Sequence, residues 1–269
     1  MTLSDSSCRI SYMNNKAVSL AKEGQSREAI KLFLQALSEL KSQVCNQNKA
    51  ATDGNSTSRS SSPTNTPQVE NPFMSVPVGS DEDSSSSSFV MFDKLLAMNP
   101  QVDPCEPQQR DGTTACLLYN MALSHQHMSE SNAKDSKSCL HLKKAASTFA
   151  MAFSAAQHWK RWTKEHSGFN ILQLAILNNL MGLYTQLGNT VKVQQLQACF
   201  QNALVGTPAK EISADEQDFF AKNLERQKAY AGSSSAPVEK PQRALLGPAA
   251  WTSNDFTAEG GLRTRNKDH

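Results

Sequence analysis

The sequence predicts an all-α fold of short helical hairpins. In residues 12–40, "YMNNKAVSLAKEGQSREAIKLFLQALSEL", small and apolar residues recur at offsets of three and four, the period of one helix face. The same period returns across residues 113–210. Between them, residues 45–87 are dominated by Ser, Thr, Asn, Pro and Gly, with too little apolar surface to offset chain entropy.

The elements follow in order. The first hairpin is expected over residues 10–44, with Gly24 able to take the left-handed conformation that ends a helix. Ala29, Ile30, Phe33, Ala36 and Leu37 form the apolar face of its second helix. Small Ala17, Ala29 and Ala36 let the two backbones approach closely. Residues 45–87 are expected to be a disordered Ser/Thr/Pro-rich insert. Residues 88–100 hold a short ordered apolar segment, "SFVMFDKLLAM", ending at the Asn99-Pro100 turn signal. Its length leaves strand and short helix both open. Two further hairpins are expected over 113–210. A helix over 211–232 follows, with Ser213 and Glu216 spaced as a capping box and Phe219, Phe220 and Leu224 as its apolar stripe. Residues 233–269 read as a disordered tail.

Composition bounds the function. Of the 269 residues only 38% are hydrophobic and 7% aromatic, which suits a modest folded part beside a large unfolded share. A net charge of +2 does not mark a nucleic-acid binder. The six cysteines show no zinc-knuckle or redox spacing. The opening residues lack an apolar core of signal-peptide length, and no run reaches the ~20 apolar residues of a membrane helix. A reducing location, cytoplasmic or nuclear, is therefore expected. No phosphate loop, nucleophile elbow or metalloprotease motif occurs, so no enzyme activity and no cofactor are expected. His125 and His127 stand at i and i+2 without a further ligand at i+4, so no metal site is expected. Cys116 and Cys199 fall in apolar helices and read as inert thiols.

The first hairpin resembles a tetratricopeptide repeat, a motif of about 34 residues. Ala17, Leu20, Gly24, Ala29, Phe33 and Ala36 match its small, large, turn, small, aromatic and small positions. Met13 replaces the usual tryptophan, and Lys41 the terminal proline. The second unit is matched by Asn120, Met121, Ala122, Ala145, Phe149 and Ala152, across a lengthened turn. The third is matched by Asn179, Leu180, Tyr184, Gly188, Phe200, Ala203 and Pro208. An asparagine stands at the same place in all three: Asn15, Asn120 and Asn179. The resemblance covers roughly half the chain.

That resemblance implies a short tetratricopeptide-like solenoid with a C-terminal capping helix, acting as a protein–protein interaction scaffold or adaptor. It implies a groove for a peptide or partner helix, lined by Asn14, Val18, Lys22, Tyr119, Leu123, Gln126, Asn178, Gly182 and Thr185. These side chains are expected to face solvent in the free protein. The lining is neutral and lacks the converging Lys and Arg of the family's carboxylate-clamp members. A rival reading is nucleic-acid or anionic-surface binding through "HWKRWTKEH", with Trp159, Lys160, Arg161, Trp162 and Lys164 as the basic-aromatic patch. Self-association as a structural subunit is a third. Ser62-Pro63, Thr66-Pro67 and the serines after Asp83 are candidate phosphorylation sites.

Overall fold

The computed structural model describes residues 3–53, 72–77, 90–107, 109–131, 137–162, 168–208 and 211–233. The chain divides into two units, Met1–Ser234 and Ser235–His269. The second unit, with the tail expected there, lies outside the described residues, as do the candidate phosphorylation sites.

Seven helices and one small sheet make up the described fold: α1 (Leu3–Lys22), α2 (Ser26–Asp53), β1 (Phe73–Pro77), β2 (Lys94–Met98), α3 (Arg110–Ser131), α4 (Ser138–Trp162), α5 (Phe169–Gln186), α6 (Thr190–Gly206) and α7 (Ala214–Ser233). The fold is all-α in class, as the helical period requires. Each helix packs on the next along the chain, and α3 also touches α1 and α5.

The turns follow from glycine at two points. Gly24 sits at φ 79° between α1 and α2, and Gly188 at φ 71° between α5 and α6. Both are in the left-handed region, where a Cβ is strained. Gln25 N–H then donates to the Leu20 carbonyl at 2.8 Å, and Asn189 N–H to the Tyr184 carbonyl at 2.8 Å, closing the two helix ends alike. Asn189 also caps α6, accepting from Lys192 N–H at 3.1 Å.

The hairpin interiors use the spacing read from the sequence. Ala17, Ala29, Ala36, Ala122, Ala145 and Ala152 are fully buried, as are Phe33, Phe149 and Phe200. Small residues bring the helix axes together, and one aromatic ring per unit fills the space beside them. The capping box at α7 is formed: Glu216 N–H donates to Ser213 Oγ at 3.2 Å, and Ser213 N–H donates to Glu216 Oε2 at 3.2 Å.

One expectation changes, and one open reading closes. The insert over 45–87 is not uniformly without structure, since α2 continues to Asp53 and β1 lies at Phe73–Pro77. The reason is visible at Phe73, which is buried and meets the Trp159 indole edge-on at 5.6 Å. The 88–100 segment, left open between helix and strand, contains strand β2. The two strands pair antiparallel, with Phe73 opposite Met98 and Pro77 opposite Lys94.

Candidate functional site

β2 and the residues before it lie across the inner faces of α1, α3, α5 and α7, held there by asparagines. Met98 N–H donates to Asn15 Oδ1 at 2.8 Å, and Asn15 Nδ2 donates to the Met98 carbonyl at 2.9 Å. Asn120 does the same for Leu96, at 2.8 Å both ways. Asn179 holds Phe92 at 2.8 and 3.1 Å. Asn223 accepts from Val90 N–H at 3.2 Å and donates to the Val90 carbonyl. A carboxamide presents one donor and one acceptor side by side, so it can engage both backbone groups of one extended residue. Only alternate residues present those groups on one edge, which is why the clamped positions differ by even numbers.

The four clamps form two copies of one device. On α1, Asn14 donates to the Leu96 carbonyl at 3.0 Å and accepts from Asn120 of α3 at 3.0 Å. On α5, Asn178 donates to the Val90 carbonyl at 3.2 Å and accepts from Asn223 of α7 at 2.9 Å. Each copy is an Asn-Asn dipeptide on one helix and a single asparagine on the helix beyond. Lys94 falls between the copies, and there Tyr119 Oη donates to the Lys94 carbonyl at 2.9 Å. The segment runs opposite to helix order, from α7 at Val90 to α1 at Met98.

Four apolar side chains of the segment are buried, while Asp93 is exposed. Phe92, Leu95, Leu96 and Met98 are at most 3% exposed. Phe92 stacks on Phe220 of α7 with ring centroids 5.0 Å apart. Burial pushes the Tyr119 hydroxyl well above its ordinary pKa, with the Asp93 and Cys116 charges adding and Asn179 opposing. Burial likewise raises the Cys116 thiol, keeping it a neutral, unreactive group beneath Leu96.

Seven of the nine expected groove residues are therefore not open to solvent. Asn14, Tyr119, Leu123 and Asn178 are fully buried, and Val18, Gln126 and Gly182 are buried too. Asn14, Tyr119 and Asn178 face the chain's own extended segment, which already occupies the place expected for a ligand. Thr185 is half-buried, with Gln227 of α7 reaching its hydroxyl at 3.4 Å, and Lys22 is exposed. Asn223 was missed from the sequence because α7 matches no repeat. Asn15, Asn120 and Asn179 carried a signal, their shared place in the three units.

The basic-aromatic patch is also altered. Trp159 is fully buried, packed between Phe73 and Phe169, with ring centroids 5.6 and 5.8 Å away. A base cannot stack on it. A Cβ on Gly112 would come 2.6 Å from the indole, so glycine is what admits the ring against α3. The side chains of Lys160, Arg161 and Trp162, and all of Lys164, lie outside the described residues.

The two histidines separate. His127 Nε2 pairs with Asp93 Oδ1 at 2.7 Å, while His125 stacks on His141 at 5.7 Å. Among the described residues no three His, Cys, Asp or Glu side chains gather as a metal site, and no helix is long and apolar enough to cross a membrane.

No family model, no curated protein and no solved structure matches the chain.

Proposed function

We propose that the chain is a non-enzymatic protein–protein interaction scaffold or adaptor, working beside the extended segment that the asparagine ladder holds. The observation that supports this is the ladder itself. Seven asparagine and tyrosine side chains from four helices are committed to holding an extended backbone, a task with no catalytic counterpart. Such a surface reads main chain rather than sequence, as in peptide recognition by strand addition. The likeness of the hairpins to tetratricopeptide adaptors, with their Ala–Phe–Ala spacing, supports the same reading.

The occupant in the free chain is its own segment, Val90–Met98. Burying Phe92, Leu95, Leu96 and Met98 contributes about 6–12 kcal/mol at 1.5–3 kcal/mol per side chain. That equals much of a domain's net stability. A partner is thus expected to join beside this segment rather than expel it.

Photo-crosslinking tests the proposal. A photoreactive residue at exposed Met74, on the hairpin that fills the ladder face, should trap partners in cells. The same residue at exposed Met151 of α4 should trap few. Adducts from Met151 and none from Met74 would move the interaction surface to the outer helices.

A further inference from the structure

We propose that the outer edge of β1, with the cleft beside it, is the docking site for an extended, basic segment of a partner protein, which adds as a third strand. This rests on the scaffold reading above and names the class of partner.

The edge follows from register. Leu96 gives its N–H and carbonyl to Asn120, so Ser75 opposite it cannot pair with β2 through its own backbone groups. The ladder bonds between the strands fall at Met74–Ala97 and Val76–Leu95, in phase with the Asn99 N–H to Pro72 carbonyl bond of 2.9 Å. Ser75 N–H and C=O therefore point outward from the sheet, and no described residue takes them. Pro77 supplies only a carbonyl to that edge, which limits pairing to a short stretch.

The cleft lies along the same strand. Its volume is about 350 Å³, with Met74 and Ser75 on one wall and Ile171, Glu211, Ile212 and Glu216 on the other. That is the size of a pocket for one or two side chains. Apolar Ile171 and Ile212 suit an aliphatic residue, and Met74, 53% exposed, offers further apolar surface at the rim. Two carboxylates face the space. Glu216 is met by Lys94 at 3.3 Å and by Ser75 Oγ at 3.1 Å, whereas Glu211 is met by the neutral Asn170 amide. Among the described residues no cation meets Glu211, and a Lys or Arg from the incoming strand supplies one. The chain's own Asp81-Glu82-Asp83 run carries the wrong sign for this place.

The probe is a fluorescent nine-residue peptide of alternating valine and lysine, blocked at both ends, with a valine–glutamate peptide as its counterpart. Full-length protein should bind the lysine peptide in anisotropy at least tenfold more tightly than the glutamate one. Val191→Ala, at an exposed position of α6 outside the cleft, should bind like wild type. Ser75→Pro removes an N–H that β2 does not use, and should bind at least tenfold more weakly with the fold intact by circular dichroism. Glu211→Lys should weaken binding equally. In the free protein the Ser75 amide should exchange quickly while Met74 and Val76 stay protected. Failure of the lysine peptide to bind, equal binding to Ser75→Pro, or a protected Ser75 amide in the free chain overturns the site. Protection that vanishes on removing residues 235–269 would assign the edge to the chain's own tail, and also overturns it. Crosslinks from Met74 that persist in any of these cases would leave the scaffold reading standing without this site.

Discussion

Asn120 holds Leu96 by both sides of its peptide: the Leu96 N–H donates to Oδ1 and Nδ2 donates to the Leu96 carbonyl, each at 2.8 Å. Both residues are fully buried. The Leu96 carbonyl has a further donor in Asn14, but among the described residues its N–H has Asn120 alone. Asn120→Ala should therefore orphan the buried Leu96 N–H and leave Asn14 Oδ1 without its donor, at about 1–3 kcal/mol for each group. Asn120→Asp should cost more, since it keeps the acceptor but sets a second oxygen against the Leu96 carbonyl and buries a charge. Asn15→Ala, at a half-buried clamp, should cost least. Urea denaturation of the three variants gives the order, and a silent Asn120→Ala would remove the ladder from the list of stabilising features.

The first hairpin was legible because its chemistry is local. Ala17, Ala29, Phe33 and Ala36 lie within twenty residues of each other, and their spacing states which face is inside. The site was not legible for the opposite reason. Asn120 meets Leu96 across 24 residues, and Asn15 meets Met98 across 83. No periodicity links those positions. The shared asparagine was visible, but an amide at a repeat position announces neither a backbone ligand nor that the ligand lies in the same chain. β1 was hidden because the four residues between Pro72 and Pro77 are swamped by the serine-rich sequence around them.

Phe33 is fully buried between α1 and α2, and Phe149 and Phe200 are its counterparts in the later hairpins. Phe33→Ala should destabilise by about 3–5 kcal/mol, through lost burial and the cavity left behind. Phe33→Leu should cost much less, because it refills most of the volume. A thermal melt of both variants checks this, and equal melting would mean that the hairpin repacks around the gap.

Gly112→Ala places a methyl 2.6 Å from the Trp159 indole. The ring is pinned by Phe73 on one side and Phe169 on the other, so it cannot swing away freely. Overpacking of this kind costs about 1–3 kcal/mol. Tryptophan fluorescence should shift together with stability, since the displaced ring meets a different environment. A stability loss without a spectral change would place the strain elsewhere on α3.

His125 and His127, on one helix two residues apart, should titrate in opposite senses. Burial, with Lys144 and His141 nearby, lowers His125 from 6.5 to about 4. Burial would lower His127 also, but the Asp93 hydrogen bond and the Asp93 and Glu130 charges outweigh it and raise its pKa above 6.5. The lowered group is neutral in the fold, so its contribution is present above pH 6.5 and lost as pH falls toward about 4. The raised group is charged in the fold, so its contribution is present below pH 6.5 and lost as pH rises through the folded value. His125→Gln should flatten the acid limb of a stability profile, and His127→Gln the limb above pH 6.5. Urea midpoints across pH 4–8 separate the two.

The last prediction concerns whether the ladder ever opens. Phe92, Leu95, Leu96 and Met98 are buried against four helices, and the backbone groups of Phe92, Leu96 and Met98 are bonded by Asn179, Asn120 and Asn15. Releasing the segment would strip apolar surface from α1, α3, α5 and α7 at once. The amides of Phe92 and Leu96 should accordingly exchange only when the whole unit unfolds, with protection equal to the slowest amides of α3 and α5. A synthetic peptide of residues 88–100 in large excess should not enter the intact chain. Fast exchange at Phe92 and Leu96, with the helices still protected, would show that the segment lifts away on its own. The helix face would then be free to take an outside peptide by replacement, and partner capture would run through the asparagines themselves rather than beside them.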